Sequence, residues 1–189
     1  MKNALAPTRE ACGPALALRP RGALPALAAA LVAAASMIAA PASAAESLVS
    51  FEGGIGSQPL RAGALVNDVN GVPPGGRPWV ISRLTAEVSA EGGIRVDGRG
   101  LLLAGGGSIG TPAGQSVRAR LYCDNVVVGD SLQLVALQPT GDFRIDSVLS
   151  NPPPSVCKTP VLLILNRTGS WFAAGIPKFQ RDAGTERDD

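Results

Sequence analysis

Between residues 79 and 90 apolar and polar side chains alternate. Val80, Leu84, Ala86 and Val88 share one parity, and Arg83, Thr85 and Glu87 share the other. A period of two sends successive side chains to opposite faces, so this stretch predicts a half-buried β-strand. Glu91-Gly92-Gly93 supplies a turn, after which Ile94 and Val96 alternate with Arg95 and Asp97 until Asp97-Gly98-Arg99-Gly100 bends the chain again. Leu101-Leu102-Leu103 is too short for a helix and is bounded by glycine, which predicts a strand covered on both faces. Val117, Ala119, Leu121 and Cys123 alternate with Arg118, Arg120 and Tyr122. The apolar stretch 132–137 predicts a further strand. Beyond the turn Pro139-Thr140-Gly141-Asp142, Phe143 and Ile145 oppose Arg144 and Asp146. The last predicted hairpin joins 161–165 to 170–173 across Asn166-Arg167-Thr168-Gly169.

Short strands with turn signals at roughly 8–12 residue spacing predict an all-β fold. The expected form is an antiparallel β-sandwich, immunoglobulin-like or similar, with a barrel as the alternative. Residues 53–78 read mainly as loop, with turn signals at Asn70-Gly71 and Pro73-Pro74-Gly75-Gly76. The 23 glycines and 16 prolines fit many turns better than long helices. One domain is expected over 45–179. Residues 180–189 have nothing to bury and are expected to be a disordered tail.

The N-terminal region follows a different pattern. Scattered basic residues occupy the first 22 positions, positions 23–45 carry no charge, and Ala42-Ser43-Ala44 provides small residues for signal peptidase. That order describes a secretory signal over 1–44, which predicts a secreted or periplasmic product. If the apolar segment is retained, the alternative is a membrane-tethered envelope component. Cys12 precedes the apolar core and so cannot be the lipidated cysteine of a lipoprotein. Lys2, Arg9, Arg19 and Arg21 leave with the signal against Glu10, so 13 basic and 14 acidic residues remain, a net of −1. A near-neutral domain lacks the basic footprint that the phosphate backbone requires, and nucleic acid is not an expected partner.

The chain contains no histidine. Ser-His-Asp and Cys-His catalysis and imidazole metal sites are therefore excluded, and neither metal nor cofactor is expected. A Ser-Lys dyad would have to use Lys158 or Lys178, and neither has a neighbouring serine motif. Glu52, Glu87, Glu91, Asp97, Asp124, Asp142 and Asp146 could supply paired carboxylates for glycoside hydrolysis, but several fall on outward parity or in turns. Gly105-Gly106-Gly107-Ser108-Ile109-Gly110 fits G-x-G-x-x-G, yet Thr111-Pro112-Ala113-Gly114 follows where a dinucleotide site needs a helix, so a glycine loop is expected. Beyond the signal the only cysteines are Cys123 and Cys157, an even pair that predicts a disulfide in an oxidising compartment. Trp79 and Trp171 offer stacking platforms for a sugar ring, against the plainer expectation that they pack in the core. Pro152-Pro153-Pro154 reads as a stiff inter-strand loop, and Asn166-Arg167-Thr168 has the form of a glycosylation sequon.

Three stretches resemble a family of small secreted bacterial proteins with no assigned function. They are Val96-Asp97-Gly98-Arg99-Gly100-Leu101-Leu102-Leu103-Ala104-Gly105-Gly106, Gly141-Asp142-Phe143-Arg144-Ile145-Asp146 and Trp171-Phe172-Ala173-Ala174-Gly175-Ile176-Pro177. The resemblance covers about residues 50–178. It implies a bacterial, exported origin and transfers no catalytic residue. The resulting expectation is an exported, non-catalytic β-sandwich serving as a binding or structural module, its partner a cell-envelope polymer or protein. The alternative is an envelope hydrolase, glycosidase-like, using paired carboxylates.

Overall fold

The structure, a computed structural model, describes residues 46–178 apart from 63–64. The expected signal (1–44) and tail (180–189) lie outside the described residues. Within them the chain forms strands and no helix: β1 Ser47–Gly56, β2 Arg61–Ala62, β3 Leu65–Val66, β4 Trp79–Val80, β5 Arg83–Ser89, β6 Gly93–Arg99 and β7 Leu102–Leu103. There follow β8 Ser116–Cys123, β9 Val126–Asp130, β10 Val135–Ala136, β11 Phe143–Val148, β12 Pro160–Asn166 and β13 Trp171–Pro177. Nine strands make one antiparallel sheet in the order β10-β8-β12-β13-β1-β5-β6-β11, with β9 also on β8. This sheet curls into a half-barrel. Its two ends meet where the Leu132 N–H donates to the Val148 carbonyl (3.1 Å) and the Ser150 N–H to that of Asp130 (2.9 Å). The all-β antiparallel expectation is met. The sheet is single and curled, which fits the barrel alternative in part and does not display the two facing layers of a sandwich.

The interior follows the predicted parity. Leu84, Ala86 and Val88 of β5, Ile94 and Val96 of β6, Val117, Ala119 and Leu121 of β8, and Ile145 of β11 are all buried. Along β12 both parities are buried: Leu162 and Ile164 face the main core, while Leu163 and Leu165 belong to a second cluster with Val72, Tyr122 and Trp171. The second cluster is covered by the segment leading into β4. There Asn70 (φ 48) and Gly71 (φ 75) form a two-residue turn closed by reciprocal bonds between Val69 and Val72. Both central residues are left-handed, which is why the Asn-Gly pair suits this turn.

Four expectations require correction. The strand expected over 79–90 breaks at Ile81–Ser82. β4 pairs with β7 in a sheet of its own, and β5 pairs with β1 and β6. The break loses one residue of phase, so Trp79 turns inward and Val80 is 47% exposed, since a slip of one flips every side chain. Second, 53–56 is strand, not loop. β1 runs to Gly56 and is central in the sheet, with a bulge between Phe51 and Gly54 that Gly53 (φ 93) permits. Third, Gly98 does not bend the chain, because it lies within β6 opposite Phe143, whose ring occupies the space a Cβ would fill. The turn comes at Gly100 (φ 63). Fourth, only Val135–Ala136 of 132–137 is strand, and Leu132 is 70% exposed. In addition, the 101–103 strand reduces to Leu102–Leu103, with Leu101 and Leu103 buried and Leu102 half-buried.

Candidate functional site

The hairpin between β8 and β9 turns on Asp124 (φ 52) and Asn125 (φ 67), a left-handed pair suited to a two-residue connection. The Asp124 carboxylate accepts from the Thr159 N–H (3.1 Å) and the Thr159 hydroxyl (3.0 Å), tying the hairpin tip to the start of β12. One residue before the turn, Cys123 is bonded to Cys157, with 5.1 Å between their Cα atoms. The predicted disulfide is present. It fastens the Pro-rich connection between β11 and β12 to the end of β8.

This arrangement builds a groove of about 600 Å³. Its floor includes Cys123, one wall is β9, and the other carries Pro152, Pro153, Pro154 and Val156. Val126, Val127 and Val156 are 68%, 52% and 61% exposed, so apolar surface faces solvent on both sides. Among the described residues β9 has a strand partner, β8, on one side only. Its other edge is covered toward the Asp130 end, where the Asn151 side chain donates to the Val128 carbonyl (2.9 Å) and Ser150 pairs with Asp130. Beside Val126 and Val127 no strand among the described residues pairs with it.

Of the carboxylates singled out in the sequence, Glu87, Asp97 and Asp146 lie on the outer face of β5, β6 and β11, Glu52 lies on β1, and Glu91, Asp124 and Asp142 lie in turns. Register places Glu87 opposite Arg95, Arg95 opposite Asp146, and Asp97 opposite Arg144. Arg95 reaches Asp146 at 3.4 Å, and Arg99 lies 2.9 Å from Asp97 and 3.4 Å from Asp142. The Gly100 N–H donates to Asp142 (3.0 Å), and this bond, joined by Thr140 and Arg99 and opposed by desolvation, holds the Asp142 carboxyl below its ordinary range. Glu52 pairs with Lys178 at 3.1 Å. On the outer face of β8 and β9, Asp130 sits between Arg118 and Arg120, and its hydrogen bond pushes the Arg120 guanidinium up from its ordinary value. A general acid for glycoside cleavage needs a carboxyl raised toward neutrality. Asp142 is shifted the other way. Among the described residues no three acidic or cysteine side chains gather as a metal site would require.

Both tryptophans are buried. Trp79, 3% exposed, stacks on Phe172 with 3.9 Å between ring centroids and 17° between planes. Trp171, 4% exposed, donates its indole N–H to the Asn67 carbonyl (3.2 Å) within the second cluster. The 105–110 stretch folds back as a loop, with the Leu103 N–H donating to Thr111 O (3.0 Å) and the Gly110 N–H to Leu103 O (2.9 Å). No helix begins there to receive a pyrophosphate. Sequence reasoning did not single out Val126, Val127 and Val156. Their signal is an apolar run directly after Asp124-Asn125, which reads equally well as an inward strand. Compared with known protein families, curated proteins and solved structures, the chain matches none of them.

Proposed function

We propose that the protein is an exported, non-catalytic binding module of the cell envelope or extracellular space, which holds an extended segment of a partner protein in the groove beside β9. The observation that carries this reading is the unpaired β9 edge flanked by Val126, Val127 and a proline wall. An open edge offers backbone donors and acceptors to an added strand, and apolar pockets beside it give that strand side-chain contacts. Contiguous exposed apolar surface also marks interaction sites more often than solvated surface. The disulfide supports an oxidising compartment. The hydrolase reading has less support, because the outer-face aspartates are engaged by arginines and Asp142 is held as the anion.

A photoreactive residue at Val127, with a control at Arg144, tests the proposal in cells exporting the protein. Adducts from position 127 should map to one extended segment of one partner and disappear with Val126→Lys. Equal adducts from both positions, or none, would overturn the groove assignment. Release of reducing ends from envelope polysaccharide that Asp142→Asn abolishes would overturn the non-catalytic reading.

A further inference from the structure

A second cleft, of about 450 Å³, lies beside β4 and β7. This falls within the roughly 300–1,000 Å³ typical of small-ligand sites. Its floor is apolar, formed by the rims of Trp79 and Phe172 and by Leu103. Its polar groups are Arg77, Gln115 and Asn166, and no acidic side chain lines it. Arg77 is exposed and makes no ion pair among the described residues.

The hydrogen-bonding state of each polar group is legible. The Asn166 side-chain oxygen accepts from the Thr168 N–H (3.0 Å), the Thr168 hydroxyl (3.0 Å) and the Ser170 N–H (2.9 Å). Its amide nitrogen, left with no partner among the described residues, is the free end. Gln115 donates weakly to the Ala113 carbonyl at 3.5 Å, so its oxygen remains an acceptor. Ala113 holds φ 49, a left-handed conformation that a residue with a Cβ seldom adopts, and the turn it makes sets Gln115 at the cleft.

The site therefore presents an exposed cation unpaired among the described residues, an amide donor and an amide acceptor around a small apolar floor. We propose that this cleft binds a uronic-acid residue of an anionic polysaccharide. Arg77 takes the sugar carboxylate, Asn166 donates to one hydroxyl and Gln115 accepts from another, while only an edge of the ring touches the small exposed margins of Trp79, Phe172 and Leu103, each 3% exposed. A guanidinium meets a carboxylate with two parallel N–H donors, which neutral sugars cannot exploit. The open cleft leaves room for a chain to enter and leave. This site is independent of the β9 groove and stands whether or not that groove is occupied.

Titration of the mature domain with trigalacturonate, followed by tryptophan emission and calorimetry, tests the assignment. Trigalacturonate should bind saturably, at least tenfold more tightly than neutral galactotriose. Its affinity should fall with added salt, because Arg77 is solvent-accessible. Arg77→Gln should lower the affinity at least tenfold without changing the thermal melt, and Gln115→Leu should lower it less. Absence of saturable binding, equal affinity for the two trisaccharides, or unchanged affinity in Arg77→Gln would each overturn the proposal. Galacturonate monomer binding as tightly as the trimer would overturn the polymeric ligand.

Discussion

Gly56 stands where the Trp79 carbonyl passes over the end of β1, and an added Cβ would lie 2.0 Å from that oxygen. The obstruction is backbone, so it cannot swing aside. Gly56→Ala is expected to cost on the order of 3 kcal/mol, read from urea denaturation, against less than about 0.5 kcal/mol for Val80→Ala on the exposed face of β4. Nothing in the sequence around position 56 announces this, because a glycine needed for close approach looks the same as one needed for a turn. Gly98 is the same case, read from sequence as a bend and found beneath the Phe143 ring. Asp142 gives a test in pH. Its folded carboxyl lies below the ordinary value of 3.8, so its stabilising contribution is fully present above that value and is lost as pH falls through the folded one. Asp142→Asn should therefore melt below wild type at neutral pH. The difference should narrow as pH drops past 3.8 and vanish below the lowered value.

At the scale of elements, the strands legible in the sequence are those with one wet face. β5, β6 and β11, and β8 as far as Leu121, alternate because arginines, aspartates and Glu87 mark the outside, whereas Tyr122 on the outer parity of β8 is buried in the second cluster. β12 carried no such marking, and its two cores explain why. Its outward Leu163 and Leu165 are as buried as its inward residues, beneath the 69–72 turn and Trp171. Leu165→Ala should accordingly cost about 2–5 kcal/mol in chemical denaturation, a core-sized penalty on a face that a half-barrel ordinarily exposes to water. The cysteine pairing was legible because only two cysteines follow residue 44, whereas the groove that the bond supports depends on which edge of β9 is covered. Replacing Cys123 and Cys157 together by alanine is expected to lower stability by about 2–5 kcal/mol in thermal melts. Trapping from position 127 should weaken as well, since the proline wall is no longer fastened to β8. A double mutant with unchanged stability would contradict the structural role of the bond.

At the scale of the molecule, fold class was readable from strand spacing, but the curl of the sheet was not. Curl depends on bulges and on which distant segments meet, as at Asp130 and Ser150. Processing after Ala44 or Ala45 is the expected fate of the N-terminal segment. N-terminal sequencing of protein recovered outside the cytoplasm checks it, and an intact Met1 species in the membrane fraction would favour the tethered form. The place of β1 in the sheet has a bearing on the proposed export. β1 is flanked by β5 and β13, and Phe51 lies in register with Pro177. The first long strand therefore waits for the last one to be synthesised before its second edge can be filled. Pairings so distant in the chain are slow to form, because a long loop must close before any contact rewards it. If the chain is exported unfolded, as we propose, such a delay is useful: the ribosome must release nearly the whole sequence before the sheet can lock.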